Sequence, residues 1–135
     1  MAVVGNYYTI TLKQTHLNWG THRYTGTRDS IDGEGYIPIP KDSACCFELL
    51  NSNGTHGADE MGKNLFRYTS DDGSISGILR AQGCNSAGDI YAKQFSVDGD
   101  LKAIGSWFAH IGAEEGTVIK VAWTSPVDIV LSKVR

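Results

Sequence analysis

The sequence lacks any surplus of positive charge. Its 135 residues include 12 lysines and arginines against 15 aspartates and glutamates, which gives a formal net charge of −3. This balance excludes a uniformly basic surface, which is the usual electrostatic footprint of a protein that binds nucleic acid. Any such contact must therefore come from a local concentration of cations.

The sequence also lacks a long apolar run. No stretch is long and apolar enough to cross a bilayer as a helix. The start of the chain shows no basic segment followed by an apolar stretch, as a secretory signal would have. We therefore expect a cytoplasmic protein that does not interact with membranes.

Cysteine is scarce, with only Cys45, Cys46 and Cys84. An odd number that includes an adjacent pair does not suit a disulfide framework. Neither C-x-x-C nor H-x-x-x-H occurs, so we predict no metal site, and no motif indicates another cofactor. Cys45 and Cys46 lie in an apolar run and are expected to pack as small hydrophobic side chains.

Catalytic motifs are missing as well. The phosphate-binding glycine patterns and the G-x-S-x-G elbow are absent. None of the four histidines is followed two positions later by a lysine, which excludes the chemistry of phospholipase-D-type nucleases. Asp98, Asp100 and Lys102 form a D-x-K triplet, as in metal-dependent nucleases, but helix capping explains the two aspartates better. We predict no catalysis and keep the nuclease as the weakest alternative.

What the sequence does contain is a series of short β-rich runs separated by turns. We expect one domain, residues 1–135, with helices over about 41–50 and from Asp98 or Asp100 to about Ile111. The second helix would place Leu101, Ile104, Trp107 and Phe108 on one face. This organisation predicts a mainly β barrel or sandwich. The predicted strands are 7–12, 36–40, 64–69, 74–81, 90–97, 117–123 and 127–134.

Residues 16–28 form a positive island that contains no acidic residue. Guanidinium groups pair bidentately with phosphate or guanine, and threonine hydroxyls can bond to either. Trp19 either anchors this segment or stacks on a ligand. An ordinary exposed hairpin is the alternative. The residues predicted to contact nucleic acid are His16, Trp19, His22, Arg23, Tyr24, Thr25, Thr27 and Arg28.

A second polar segment brackets the small residues 83–88. Asparagine and glutamine can read adenine, whereas arginine and lysine favour guanine or phosphate. Two donor-rich arms on a twisted β scaffold can enter the major groove, as several β-ribbon proteins do. The candidate residues of this segment are Arg80, Gln82, Asn85, Tyr91 and Lys93.

Two other patterns carry a resemblance to a known family. GYIPIP (35–40), followed by a short helix with Ala44 and Phe47, and GTVIKVAWTSPVDI (116–129) resemble the DNA-binding pseudobarrel of phospholipase-D-type restriction endonucleases, a B-three-like recognition domain. The likeness extends from about Leu12 to Val134. It implies a seven-stranded open β-barrel with two short α-helices, whose two arms grip the DNA major groove. On this sequence the arms fall within residues 16–34 and about 80–93.

The leading hypothesis is therefore a sequence-specific module that binds double-stranded DNA without catalysis, as the recognition part of a restriction–modification system. Arg23 and Arg28 would contact guanine or phosphate. In the second arm, Gln82 and Asn85 would contact bases, and Arg80 and Lys93 would contact phosphates. The restriction enzymes fuse this domain to a nuclease, so the chain is expected to be a free-standing regulator, a subunit of a split system or an excised domain. In the last two cases a separate nuclease subunit or domain is a further partner that the resemblance implies. The alternative is a small β-barrel module that binds a protein or ligand, with Trp19 as an anchor.

Overall fold

The computed structural model describes residues 2–13, 35–52, 59–83, 90–100 and 102–134. In this part of the chain, runs of alternating apolar and polar side chains form strands, because one face of each run is buried. Two short helices lie between the strands. The elements are β1 (Tyr7–Thr11), β2 (Ile37–Pro38), α1 (Lys41–Cys46), β3 (Leu65–Ser70), β4 (Ser76–Gln82), β5 (Gln94–Val97), α2 (Ala103–His110), β6 (Val118–Ser125) and β7 (Asp128–Lys133).

All seven strands belong to one sheet, in the order β1-β6-β7-β3-β4-β5-β2. Neighbouring strands are antiparallel except for β3 and β7, which are parallel. The sheet curls nearly into a closed barrel, and an unsealed seam remains between its edge strands, β1 and β2. The predicted fold class, a mainly β open barrel of seven strands with two short helices, is confirmed.

Aromatic side chains fill the inside of the barrel. Phe66, Phe95 and Trp123 are buried, and the ring of Phe66 lies perpendicular to that of Trp123 with the centroids 5.8 Å apart. Such edge-to-face pairs stabilise a core beyond the apolar area that they bury. α2 buries Trp107 and Phe108 against the same core, as its apolar spacing predicted. Neither helix of the described residues is long and apolar enough to span a bilayer.

α1 ends at Cys46, earlier than the predicted end near Leu50. The Leu49 N–H donates to the Ala44 carbonyl at 2.9 Å, and the Glu48 N–H donates to the Cys45 carbonyl at 3.3 Å. These bonds form a Schellman motif, in which the residue after the C-cap adopts a left-handed conformation. Here that residue is Glu48, with φ of 52°. Glycine usually occupies this position, so the sequence carried no signal for the early end.

The prediction that Asp98 or Asp100 caps α2 was wrong. The N-cap residues are Pro40 for α1 and Lys102 for α2, and neither helix has a side-chain cap hydrogen bond. Asp100 accepts a hydrogen bond from the Lys102 N–H at 3.1 Å and thereby closes the turn that precedes α2. Asp98 lies further back and forms an ion pair with Arg80.

The expectation that Cys45 and Cys46 pack in the core was also wrong, because both side chains are exposed. The buried positions of this region are Ala44 and Leu49. Each residue of an α-helix is rotated by about 100° from the one before it, so the two residues after Ala44 face away from the core. The apolar run therefore contained only one inward-facing helical position.

Candidate nucleic-acid interface

Most of the residues predicted to contact DNA lie outside the described residues. Each of them lies either in the segment 14–34 or in the segment 84–89. The structure therefore bears on the first arm only through the residues that flank it. For the second arm it describes the flanks and four of the five candidates. The candidates outside the described residues are His16, Trp19, His22, Arg23, Tyr24, Thr25, Thr27, Arg28 and Asn85.

The segment 14–34 begins and ends at the same end of the sheet. Its first flank follows β1, where the Leu12 N–H donates to the Thr117 carbonyl at 2.8 Å beside the start of β6. Its second flank, Gly35, precedes β2 beside the end of β5, since Ile37 pairs with Phe95. The strand registers place the start of β4 at this end as well. We call it the Thr11 end of the barrel.

The segment 84–89 connects β4 to β5 at the opposite end of the sheet, which we call the Gln82 end. Asn51, a fully buried residue, contacts both of its flanks. The Asn51 Oδ1 accepts a hydrogen bond from the Gly83 N–H at 2.8 Å, and the Asn51 N–H donates to the Ile90 carbonyl at 2.9 Å. One side chain and its own backbone therefore fix where the second arm leaves and re-enters the barrel.

Gly83 also fits closely against Asn51. A Cβ atom at position 83 would lie 3.0 Å from Asn51 Nδ2 and 3.2 Å from Asn51 Cγ. Such a distance is shorter than normal packing contacts, so a larger residue would displace the anchor. Sequence analysis missed Asn51, because it stands in a polar run that is typical of an exposed loop.

Arg80 is the predicted phosphate contact whose surroundings differ most from the expectation. Its guanidinium lies between two carboxylates, with Nη1 2.9 Å from Asp59 Oδ2 and Nη2 2.7 Å from Asp98 Oδ1. The side chain is 31% exposed. A phosphate would have to compete with both aspartates for the same N–H groups. Arg80 on β4 therefore connects Asp59, which follows the segment 53–58, to Asp98, which follows β5.

Gln82 lies half-buried on the outer face of β4. Its Oε1 accepts a hydrogen bond from Ser96 Oγ at 2.8 Å, and its backbone carbonyl accepts one from the Lys93 N–H at 2.7 Å. The amide nitrogen makes no hydrogen bond to the residues that the structure describes, and it retains two donors. Gln82 can therefore still contribute a donor at the base of the arm.

Tyr91 and Lys93 lie at the same end and are exposed. Tyr91 forms an isolated bridge with Leu50, and β5 starts only at Gln94 rather than at the predicted Ile90. The Lys93 carbonyl accepts a hydrogen bond from the Ile39 N–H at 2.8 Å, which connects this segment to the chain after β2. The structure thus brings Gln82, Tyr91 and Lys93 together at the Gln82 end.

The D-x-K triplet serves structural contacts. Asp98 pairs with Arg80, and Asp100 holds the turn before α2. Within the described ranges, no group of three or more histidine, cysteine, aspartate or glutamate side chains is placed to hold a metal ion.

Comparison with protein-family models and with curated proteins finds no match for this chain. The membership in the restriction-endonuclease pseudobarrel family therefore stays a prediction.

Proposed function

We propose that this protein is a sequence-specific module that binds double-stranded DNA and reads the major groove with two arms, residues 16–34 and about 80–93. Its role as the recognition part of a restriction-type system, with a separate nuclease as partner, belongs to the same proposal. One observation carries it. The chain forms the seven-stranded open barrel with two short helices that the resemblance implies.

The lengths of the arms support the proposal. The first arm is anchored at the Thr11 end and the second at the Gln82 end of the sheet. A chain of about twenty residues that starts and finishes at one place can extend about 30 Å and return. A seven-residue strand such as β4 is about 23 Å long. The first arm is thus long enough to run along the barrel and meet the second on one DNA duplex.

The arginines of the described residues support a division of roles between the arms. Only two are present in this part of the chain, and both are ion-paired. Arg80 contacts Asp59 and Asp98, and Arg67 binds Asp128 through Nε at 2.8 Å and Nη2 at 2.9 Å. Bidentate reading of guanine needs an unoccupied guanidinium. We therefore assign this role to Arg23 and Arg28, and the second arm contributes Gln82, Asn85, Tyr91 and Lys93.

The experiment is selection from a random duplex library, followed by titration of the selected duplex. Arg23→Ala and Arg28→Ala should each weaken binding by about 1–3 kcal/mol if they make bidentate base contacts. Arg67→Ala is the matched control, since it removes an equal charge from an arginine that is paired on the barrel, and its affinity should stay near that of the parent. Failure to enrich any duplex would reject the proposal.

A protein-binding module remains the second candidate, because Ile90 is 64% exposed and Tyr91 is 40% exposed beside the second arm. Adjacent exposed apolar side chains are typical of protein contacts. Salt distinguishes the two functions. DNA affinity should fall steeply with ionic strength as counterions are released, whereas an apolar protein contact should change little.

A further inference from the structure

Ile90 is an exposed apolar residue at the point where the second arm re-enters the barrel. Its side chain is 64% exposed, and that of the next residue, Tyr91, is 40% exposed. Both lie at the Gln82 end, directly after the segment 84–89. Tyr91 is among the residues that the sequence predicts to contact DNA, whereas Ile90 is not, because its side chain has no hydrogen-bonding group.

The backbone that carries Ile90 is hydrogen-bonded on both of its edges. On one edge, the Ile90 carbonyl accepts a hydrogen bond from the Asn51 N–H at 2.9 Å. On the same edge, the Ala92 N–H donates to the Leu49 carbonyl at 2.8 Å. On the other edge, the Lys93 N–H donates to a carbonyl of β4 at 2.7 Å. Ile90 is therefore held in place before a ligand binds, so a contact to it requires little ordering of the chain.

The surroundings of Ile90 are those of the polar arm. Ala92 is buried between Tyr91 and Lys93, which are exposed, so these two side chains lie on the outer side of an extended segment. Lys93 supplies a positive charge there. Gln82, which accepts the Lys93 N–H, supplies the side-chain amide described above. An apolar side chain at a fixed position thus stands beside groups that suit phosphates and base edges.

The size of this apolar surface favours DNA over a protein as the partner. Apolar patches that serve as protein contacts usually cover several hundred Å² and form a continuous core. Here two adjacent side chains, each partly exposed, are bordered by the polar Gln82 and Lys93. One isoleucine side chain matches a much smaller target. In the major groove, the apolar group that a base presents is the methyl group on C5 of thymine.

We propose that Ile90 contacts the 5-methyl group of one pyrimidine in the major groove, either thymine or 5-methylcytosine. Both bases carry this methyl group on the same ring atom, so the apolar contact is the same. The inference rests on the proposed function, because it assigns a specificity-determining residue to the second arm. Removal of one methyl group from water should strengthen binding about fourfold.

The test is a titration of the full chain with variants of the duplex that is selected from the random library. In one set, each thymine is replaced in turn by uracil, which removes only the methyl group. In a second set, each cytosine is replaced in turn by 5-methylcytosine, which adds a methyl group. We expect one position at which the methyl group strengthens binding about fourfold, and the base at this position identifies its source.

Ile90→Ala attributes this methyl preference to its residue. The variant lacks the apolar partner, so the presence or absence of the methyl group at that position should no longer change its affinity. Ile90→Val, which is shorter by one methyl group, should retain most of the preference. Because Ile90 is exposed, both variants should unfold in urea at about the same concentration as the parent. A general effect on folding would not produce such a coupling between the side chain and the DNA methyl group.

Val134→Ala is the matched control. Val134 is also apolar and 51% exposed, but it follows β7 at the Thr11 end, where its N–H donates to the Val118 carbonyl at 2.8 Å. This variant should show the same methyl preference as the parent. A library that yields no duplex would reject the proposed function, and this inference would fall with it. A selected duplex on which no methyl effect depends on Ile90 would overturn this inference alone, and Ile90 would then fit the protein-binding candidate.

Discussion

The Tyr8 hydroxyl on β1 donates a hydrogen bond to the Pro38 carbonyl oxygen on β2, with 3.0 Å between the oxygen atoms. These residues belong to the two edge strands of the barrel, which form no hydrogen-bonded ladder with each other. Burial raises the pKa of Tyr8 well above its ordinary value, so the hydroxyl is a permanent donor. A side chain therefore bridges the seam at a point where backbone pairing is missing.

Tyr8→Phe should lower the free energy of unfolding by about 0.5–1.5 kcal/mol, since it removes this hydrogen bond and keeps the ring. The ring contact with Trp123, at a centroid distance of 6.2 Å, should persist. Urea denaturation followed by tryptophan fluorescence measures the change. Amide hydrogen exchange should also become faster at residues 7–11, because the edge strand loses its connection to β2.

Tyr7→Phe is the control for this effect. Tyr7 precedes Tyr8 but faces outward, is 58% exposed and lies beneath Lys120, whose Nζ is 4.7 Å from the ring centroid. Removal of its hydroxyl leaves the ring available to the cation, so stability should change by less than about 0.5 kcal/mol. Equal losses in the two variants would show that the hydrogen bond to Pro38 is not what stabilises the seam.

Arg80→Met should reduce stability but spare DNA binding. The guanidinium holds Asp59 and Asp98 together while it is mostly shielded from solvent, and we expect a loss of about 1 kcal/mol at low salt. High salt should shrink the difference from the parent, because ions screen the pair. Urea titrations at two ionic strengths test the stability, and titration of the selected duplex tests the affinity. A loss of affinity of the Arg23→Ala size would reassign Arg80 to the DNA contact.

Asn51→Ala should loosen the base of the second arm. The substitution leaves the half-buried Gly83 N–H without its acceptor, which costs about 1–3 kcal/mol. Exchange of the amide hydrogen of Gly83 should accelerate, and affinity for the selected duplex should fall because the arm is no longer pre-organised.

Asn64→Ala is the control that distinguishes an effect on the second arm from a general loss of stability. Asn64 is also buried, at 3% exposed, and its Oδ1 accepts a hydrogen bond from the Glu60 N–H at 2.8 Å. This variant should lose stability but keep the affinity of the parent for DNA at temperatures where both are folded. Parallel losses of affinity in the two variants would mean that Asn51 acts only through stability.

The regular part of the fold could be predicted from the sequence because it depends on local patterns. Strand β1 was expected over residues 7–12 and is observed over Tyr7–Thr11, and the proline-containing segment 36–40, expected as a strand, contains the two-residue edge strand β2, Ile37–Pro38. Alternation of side chains and the missing N–H of proline are properties of neighbouring residues. The two segments that flank the first arm were therefore placed correctly on strands.

The contacts that define the site could not be predicted, because they join residues far apart in the chain. Asn51 meets Gly83 across 32 positions, and Arg80 meets Asp98 across 18. In the sequence, Asn51 is typical of an exposed loop and Arg80 of a phosphate contact. Only the folded structure shows that Asn51 anchors the second arm and that Arg80 is paired with a carboxylate. The left-handed Glu48 is similar, since glutamate gives no sign of such a conformation.

Acid should destabilise the protein in part through Asp72. Hydrogen bonds from Ser70 and Ser74, together with the nearby His110, lower the pKa of Asp72 from 3.8 to about 2. A carboxyl group whose pKa is lowered by folding contributes stability above its unfolded pKa and loses it as the pH falls through the folded pKa. The contribution should therefore be complete above about pH 5 and should vanish progressively towards about pH 2.

Asp72→Asn, which keeps an oxygen acceptor without the charge, should flatten the fall in unfolding free energy over this interval. Asp71→Asn, which loses the same charge one residue away but keeps the hydrogen bonds of Asp72, should retain the pH dependence of the parent. Denaturant titrations at several pH values compare the three proteins, and parallel curves for Asp72→Asn and the parent would contradict this role of Asp72.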